Sequence, residues 1–286
     1  MRFSLVMATL GRSAEIAAFI ESLLAQGRGD AELIVVDQNA DDRVAAVLEP
    51  YRDRLPLTHL RTARRAANPA RNLGLAQARG EVVTFPDDDC LYPPGLLDRV
   101  DAAFRDDPAL AVLTGPAESP SGGLGSGRWR QDAGPITLSN VWTSVIEFNL
   151  FIRRDVALAL GGFDEAMGPG TPLGSAEGND LVAAAVAAGH AARYDPAQRV
   201  VHPDKSLSDI AVARARLYGR GLGLALRRHR APPAVWINFA IRPLGGVAVS
   251  VLRGRLPDAA YYANTLAGRA AGFLRRDPRR GMGGGA

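Results

Sequence analysis

A mostly parallel α/β sheet flanked by helices, with a helical, basic, amphipathic appendage after it, is the architecture this sequence predicts. Three observations carry the prediction. Short apolar runs alternate with stretches of helical periodicity from Phe3 to Phe85. Three of those runs end in polar residues, at Thr9, Asp37 and Asp87. From about Arg214 the composition turns to Arg, Ala and Leu.

The elements follow in order. Phe3 to Ala8 is an apolar run closed by Thr9-Leu10-Gly11-Arg12, and Ile16, Phe19, Ile20, Leu23 and Leu24 then recur at helical spacing over 14–25. Leu33 to Val36 reads as a second buried strand, followed by a helix near 43–52 and a strand over 57–61. Asn68-Pro69 supplies a cap and a first-turn proline for a helix over 68–79, with Gly80 as its stop. Val82 to Phe85 is the next strand and delivers Pro86-Asp87-Asp88-Asp89. Such alternation implies parallel strands covered on both faces, with a ligand crevice at their carboxyl ends. Further on, the spacing predicts loops over 119–127 and 168–174, a strand over 149–152, a helix over 154–160, a turn over 161–165 and a helix over 177–188.

At 286 residues the chain fits one large domain with an appendage: an α/β domain over 1–210, divided into halves 1–115 and 116–210, and a C-terminal region over 211–286. Hydrophobic residues at 47% and charged residues at 22% exclude an intrinsically disordered chain. The single Cys90 excludes an intrachain disulfide and a cysteine-based zinc site. The first ten residues read as a strand and not as a signal peptide, so a cytoplasmic protein is expected. Charge is divided unevenly: residues 1–204 carry 19 basic and 27 acidic side chains, residues 205–286 carry 15 and 3, a net −8 against +12. Two different partners are implied.

Three adjacent carboxylates at a strand end repel one another, and a divalent cation removes that cost. Hard oxygen ligands favour Mg²⁺ or Mn²⁺ that completes its shell with substrate phosphates. The bland alternative is a solvated acidic turn.

Taken together, the motifs Thr9-Leu10-Gly11-Arg12, Val35-Val36-Asp37, Asn68-Pro69-Ala70-Arg71-Asn72-Leu73-Gly74, Phe85-Pro86-Asp87-Asp88-Asp89, Gly161-Gly162-Phe163-Asp164-Glu165 and Glu177-Gly178-Asn179-Asp180-Leu181 resemble, in order and spacing, an inverting glycosyltransferase of family 2 with the GT-A fold. The resemblance covers most of residues 1–205. It implies a nucleotide-diphosphate sugar donor, a UDP-sugar by default with dTDP-rhamnose or a GDP-sugar open, and a glycan, lipid-linked or polysaccharide acceptor. Thr9, Gly11, Arg12, Asp37, Asn68, Arg71, Asp87 and Asp88 are implied on the donor side, and Asp89, Asp87 and His202 at the metal. A guanidinium such as that of Arg71 suits phosphate oxygens. Inversion needs a general base, for which Glu177 is the first candidate and Asp180 the second. Gly178 stands where the family's usual pair has its second acid, and a non-catalytic sugar-binding or nucleotide-binding protein of the same fold is the alternative this departure raises. Asp164 and Trp142 are the acceptor-side candidates; for Trp142, as for Trp129, core packing competes with stacking on a sugar ring.

Residues 231–252 are largely apolar but interrupted by Asn238, Arg242 and three prolines, which reads as an interfacial segment and not a spanning helix. Arg227, Arg228, Arg230, Arg253, Arg255, Arg275, Arg276, Arg279 and Arg280 surround it, the pattern of an anionic membrane surface at the inner face of the cell membrane, with packing on the catalytic domain as the alternative. Nucleic acid is not expected as a partner: no interleaved aromatics or recognisable module accompany the basic residues. A nucleotidyltransferase is disfavoured because the first turn has no Gly-rich, Lys-containing phosphate loop.

Overall fold

The computed structural model describes residues 1–125, 127–204 and 209–277. Arg279, Arg280 and the glycine-rich end over 281–286 lie outside the described residues, as does position 126 of the expected 119–127 loop.

An eight-stranded sheet organises the first 204 residues. Its strands are β1 (Phe3–Thr9), β2 (Ala31–Asp37), β3 (Leu57–Arg61), β4 (Val82–Thr84), β5 (Leu110–Thr114), β7 (Gly134–Pro135), β8 (Leu150–Arg153) and β9 (Ala191–Tyr194). Across the sheet the order is β3-β2-β1-β4-β8-β5-β9-β7. β1 to β4 are mutually parallel, with Thr9 of β1 directly opposite Asp37 of β2, while β8 runs antiparallel to both β4 and β5. Two further short strands, β6 (Ala117–Glu118) and β10 (Val200–Val201), pair in parallel away from the main sheet.

Both faces of the sheet are covered, which is why β1 and β2 read as continuous apolar runs and not as alternating ones. α1 (Ala14–Leu24) and α4 (Leu96–Asp106) share one core cluster with Phe3, Leu5 and Met7 of β1 and with Leu33 and Val35 of β2. α3 (Ala67–Leu75) lies on the other face, where Gly74 lets it approach so closely that a Cβ there would sit 2.4 Å from Val6 Cγ1. The short helices α2 (Arg43–Leu48) and α5 (Arg154–Ala159) complete the connections.

The observed helix around the Asn-Pro motif differs from the expected one. α3 starts at Ala67, so Asn68 is not its cap but a buried first-turn residue whose amide donates to Asp164 O at 2.9 Å. It ends at Leu75, short of Arg79. α4, β5 and β9 have no counterpart in the sequence reading.

The chain divides into two compact units, Met1–Glu165 with Leu181–Lys205, and Ala166–Asp180 with Ser206–Ala286. The second unit therefore includes 166–180 besides the appendage expected from 211. α6 (Glu177–Ala187) starts in the second unit and continues in the first. The second unit is otherwise built from α7 (Asp209–Arg228), α8 (Pro233–Leu252) and α9 (Leu256–Leu274). α7 and α9 approach backbone to backbone through Gly219, Gly223, Gly268 and Gly272, where an added Cβ would come within 2.1–2.5 Å of a carbonyl oxygen of the facing helix.

Candidate active site

Parallel strands bring their carboxyl ends to one edge, and the loops after β1, β2 and β4 leave that edge together. The acidic triplet lies in the third of these loops. Asp88 turns inward: its Oδ2 accepts from Thr9 Oγ1 at 2.6 Å, its Oδ1 accepts from Arg12, and the side chain is buried. Burial pushes its carboxyl above the ordinary value, and the opposing pull of Thr9 and Arg12 does not cancel it. Asp89 meets Arg12 Nη2 at 2.7 Å and His202 Nε2 at 3.3 Å. Burial raises Asp89 as well, but the hydrogen bond and charge of His202, with the charge of Arg12, outweigh it and hold the carboxyl below its ordinary value. Asp87 accepts from Arg71 Nη2 at 3.1 Å and faces His202 Nε2 at 3.8 Å. Two guanidiniums and an imidazole thus already offset much of the repulsion for which the sequence demanded a cation.

His202 is held on both sides. Its ring stacks on Phe148 with centroids 4.5 Å apart and planes within 6°. Nδ1 lies 2.7 Å from Pro203 O, to which Nδ1–H donates, so Nε2 is the atom turned to the carboxylates. Burial pulls the imidazole down, yet its hydrogen bond to Asp89 and the charges of Asp89 and Asp87 prevail, and it titrates above its ordinary value. One donor atom from each of Asp87, Asp89 and His202 lies within 4.8 Å of the others. Two carboxylate oxygens and one imidazole nitrogen are a donor set that fits a divalent metal, Mn²⁺ more naturally than Mg²⁺ because of the nitrogen.

Arg71 reaches Asp87 because α3 is anchored to the turn after α5. Asn72 grips that turn twice: Phe163 N–H donates to Asn72 Oδ1 and Asn72 Nδ2 donates to Phe163 O, each at 2.9 Å. Phe163 is thereby pinned edge-on to Phe85 at 4.6 Å and beneath the Arg71 guanidinium at 5.4 Å. Asp164 is buried in the same turn.

Beside the strand ends, Gln38, Asn39, Arg61, Thr62 and Arg65 line a cleft of about 380 Å³. Asp37 does not open onto it freely. Its buried carboxylate accepts from Asn39 N and Nδ2, both at 2.8 Å, and meets His59 Nε2 at 3.2 Å, so it shapes the loop. Asn39 in turn accepts from Gly11 N at 2.8 Å. Gln38, next to Asp37 in the chain, is buried in the wall of the cleft, and its Oε1 has no hydrogen-bond partner among the described residues.

Glu177 and Asp180 open α6 in the second unit, directly after Ala176, a non-glycine residue at φ +68°. Such a conformation costs about 1–3 kcal/mol and persists only where surroundings dictate it. Glu177 is buried. Asp180 is fixed by an ion pair and a hydrogen bond: Arg228 Nη1 lies 2.9 Å from both its oxygens and His229 Nε2 2.8 Å from Oδ1, while Arg228 also pairs with Asp277 at 2.7 Å. Trp142 is buried and its indole N–H donates to Leu138 O at 2.7 Å, and Trp129 packs against the main core.

Sequence reasoning picked none of Asn72, Phe163, Phe148, Gln38, Asn39 or His59 as a site residue. Asn72, Phe163 and Gln38 stood inside or beside quoted motifs. Phe148 under His202 had no local signal, because 54 residues separate the two rings in the chain.

A parallel sheet with an acidic loop, arginines and a histidine at its carboxyl edge defines a protein of the GT-A type. Residues 4–157, more than half of the chain, match the family described as Glycosyl transferase family 2, and the chain belongs to that family. Among curated relatives, poly(ribitol-phosphate) β-N-acetylglucosaminyltransferase TarS of Staphylococcus aureus is 32% identical over 146 residues, which are 49% of this chain and 25% of TarS. GalNAc(5)-diNAcBac-PP-undecaprenol β-1,3-glucosyltransferase of Campylobacter jejuni is 33% identical over 91 residues, 31% of this chain and 29% of the relative. The chain thus spans well under half the length of these relatives. Among solved structures, the mannosyltransferase PcManGT of Pyrobaculum calidifontis, in complex with GDP-Man and Mn²⁺, superposes with a TM-score of 0.67 at 18% identity, covering 96% of this chain and 87% of that one. S. aureus TarS 1-349 in complex with UDP-GlcNAc gives 0.60 at 18% identity, covering 97% and 94%. At such identities the likeness establishes the fold.

Proposed function

We propose that this protein is a metal-dependent inverting glycosyltransferase that moves a sugar from a nucleotide-diphosphate donor, a UDP-sugar by default, to a hydroxyl of a glycan, lipid-linked or polysaccharide acceptor. The observation that carries the proposal is the meeting of Asp87, Asp89 and His202 with Arg12 and Arg71 at the carboxyl edge of the parallel sheet. Asp87, Asp89 and His202 would hold the divalent cation, which would neutralise charge on the diphosphate leaving group. Arg71, supported by Asn68 and Phe163, presents its guanidinium to phosphate oxygens. Asp88 keeps Thr9 and Arg12 in position from below. The cleft lined by Gln38, Asn39, Arg61 and Arg65 takes the nucleotide base. Glu177 takes the proton of the acceptor hydroxyl as the acceptor oxygen bonds to the anomeric carbon, and the bond to the diphosphate oxygen breaks with its electron pair leaving on that oxygen. Asp180, committed to Arg228 and His229, is the positioning residue of that helix turn. Trp142 and Asp164 are assigned to the acceptor side, Trp142 through packing. The protein works as a cytoplasmic enzyme peripheral to the anionic inner face of the cell membrane, held there by its basic C-terminal region.

The test is turnover of a panel of nucleotide sugars with and without Mn²⁺, together with nucleotide-induced thermal stabilisation. Metal-stimulated turnover that Asp89→Ala abolishes, and that Glu177→Gln lowers by about 10²-fold or more with donor binding intact, is expected. Donor binding with no turnover in the wild type across donors and acceptors would favour the non-catalytic binder.

A further inference from the structure

α8 turns apolar residues outward. Ile237, Ile241, Leu244 and Val251 are each between 53% and 59% exposed. With Ala248 they recur at the spacing of a single stripe on a 3.6-residue helix, while Val235, Pro243 and Ser250 form the buried side. Beside the stripe a groove of about 510 Å³ opens among Trp236, Ile237, Phe239, Leu266, Arg269 and Phe273. Its charged lining residue is Arg269, which donates to Phe239 O and covers the Phe239 ring at 5.0 Å, but whose buried Nε has no hydrogen-bond partner among the described residues.

The charges around this face say what covers it. Arg230 stands just before α8, Arg253 and Arg255 just after it, and Arg242 beside the stripe at mid-helix, all exposed. Exposed Arg275 and Arg276 at the end of α9 join the first turn of α8, where Phe273 meets Trp236 edge-on at 4.7 Å. An apolar stripe ringed by arginines complements a surface that is anionic outside and hydrocarbon within. A second copy of the chain would set arginines against arginines. By length and composition α8 is also able to span a bilayer, but spanning would carry exposed Arg242 to the hydrocarbon centre, whereas an in-plane helix keeps it among headgroups.

We infer that α8 lies in the plane of an anionic phospholipid leaflet with its outer stripe among the acyl chains, and that the groove takes one hydrocarbon chain of that leaflet with Arg269 meeting the lipid's ester or phosphate oxygens. This deepens, and rests on, the peripheral-membrane reading above. The full chain is sedimented with vesicles of phosphatidylcholine alone or mixed with phosphatidylglycerol, and its tryptophan fluorescence is followed with lipids brominated on their acyl chains. Binding to the phosphatidylglycerol vesicles is expected, weakening as salt rises, and about tenfold or more weaker in Ile241→Asp/Leu244→Asp, whose exposed positions leave the thermal melt unchanged. Bromine quenching is expected to disappear in Trp236→Phe. Vesicle binding that the double variant does not diminish, or quenching that survives in Trp236→Phe, overturns this face and groove while the peripheral reading stands. No vesicle binding at low salt overturns both, and a dimer dissolved by the double variant without vesicle binding reassigns the face to a second copy.

Discussion

Removing the Asn72 side chain is a direct probe of how the fold holds the proposed donor site. The Asn72 amide makes two hydrogen bonds to the backbone of Phe163, at 2.9 Å each, besides a longer one to Glu165 Oε1 at 3.3 Å, and Phe163 is itself buried. Asn72→Ala deprives one N–H and one C=O of their partners, at about 1–3 kcal/mol apiece, and partial relaxation of the turn brings the sum to about 3 kcal/mol. For a unit of this size that lowers the melting temperature by about 6–12 °C. Because Phe163 sits under Arg71, the turn's loosening also frees the guanidinium from Asp87, so donor binding weakens more than stability alone accounts for. Asn72→Asp sharpens the test: it keeps the acceptor for Phe163 N–H but places a carboxylate near Phe163 O and near Glu165, whose Oε1 now lies 3.3 Å from Asn72 Nδ2. That carboxyl is raised in the folded state, so its stabilising form prevails at low pH and is lost as pH rises through the folded value. Differential scanning fluorimetry and nucleotide titration across pH measure both effects. A melting temperature within about 2 °C of wild type in Asn72→Ala would refute the reasoning.

Two further outcomes follow from the proposed metal centre and the helical unit. His202 titrates above its ordinary 6.5, so in the metal-free protein its pairing with Asp89 stabilises fully below that value and fades as pH rises through the folded one. Cation binding needs the neutral ring, so the Mn²⁺ concentration giving half-maximal thermal stabilisation is expected to rise roughly tenfold per pH unit below the folded value, and a pH-independent midpoint in the wild type would discount His202 as a ligand. In the second unit, Gly223→Ala, whose Cβ would meet Arg269 O at 2.1 Å, is expected to destabilise by about 1–3 kcal/mol in urea melts. Gly245→Ala, with nothing within 4 Å, is the control and should be neutral or stabilising.

The parallel-strand part of the sheet was legible because its signals are local. Apolar runs buried on both faces mark β1, β2 and β4 directly, and the polar residues that end them fall on one edge as soon as the strands are parallel. Asp87, Asp89 and His202 were nameable on that basis together with the family's spacing, and they do converge. What stayed hidden depends on distant partners. That Asp88 turns inward while its neighbours do not is set by Thr9 and Arg12, some eighty residues earlier. Asp37 looked available because a strand-end carboxylate is normally solvated, but Asn39 takes one of its oxygens and His59, on the adjacent strand, meets the other. Likewise the partners of Asp180 come from the last residue of α7 and the residue after it, nearly fifty residues onward, where an arginine-rich helix gave no hint which arginine turns in. The antiparallel insertion of β8 between β4 and β5 is a property of topology that no run of residues encodes locally.

The glycines between α7 and α9 invert a familiar ranking. Alanine is the best helix former and glycine among the worst, so a propensity scale would mark Gly219, Gly223, Gly268 and Gly272 as defects and recommend their repair. Here each missing methyl group is the space through which one helix backbone meets the other, and adding it would trade a small gain in chain stiffness for the loss of the contact. Consensus or propensity-guided stabilisation, applied to this unit without its structure, would therefore weaken it first at the positions it rated most in need of improvement.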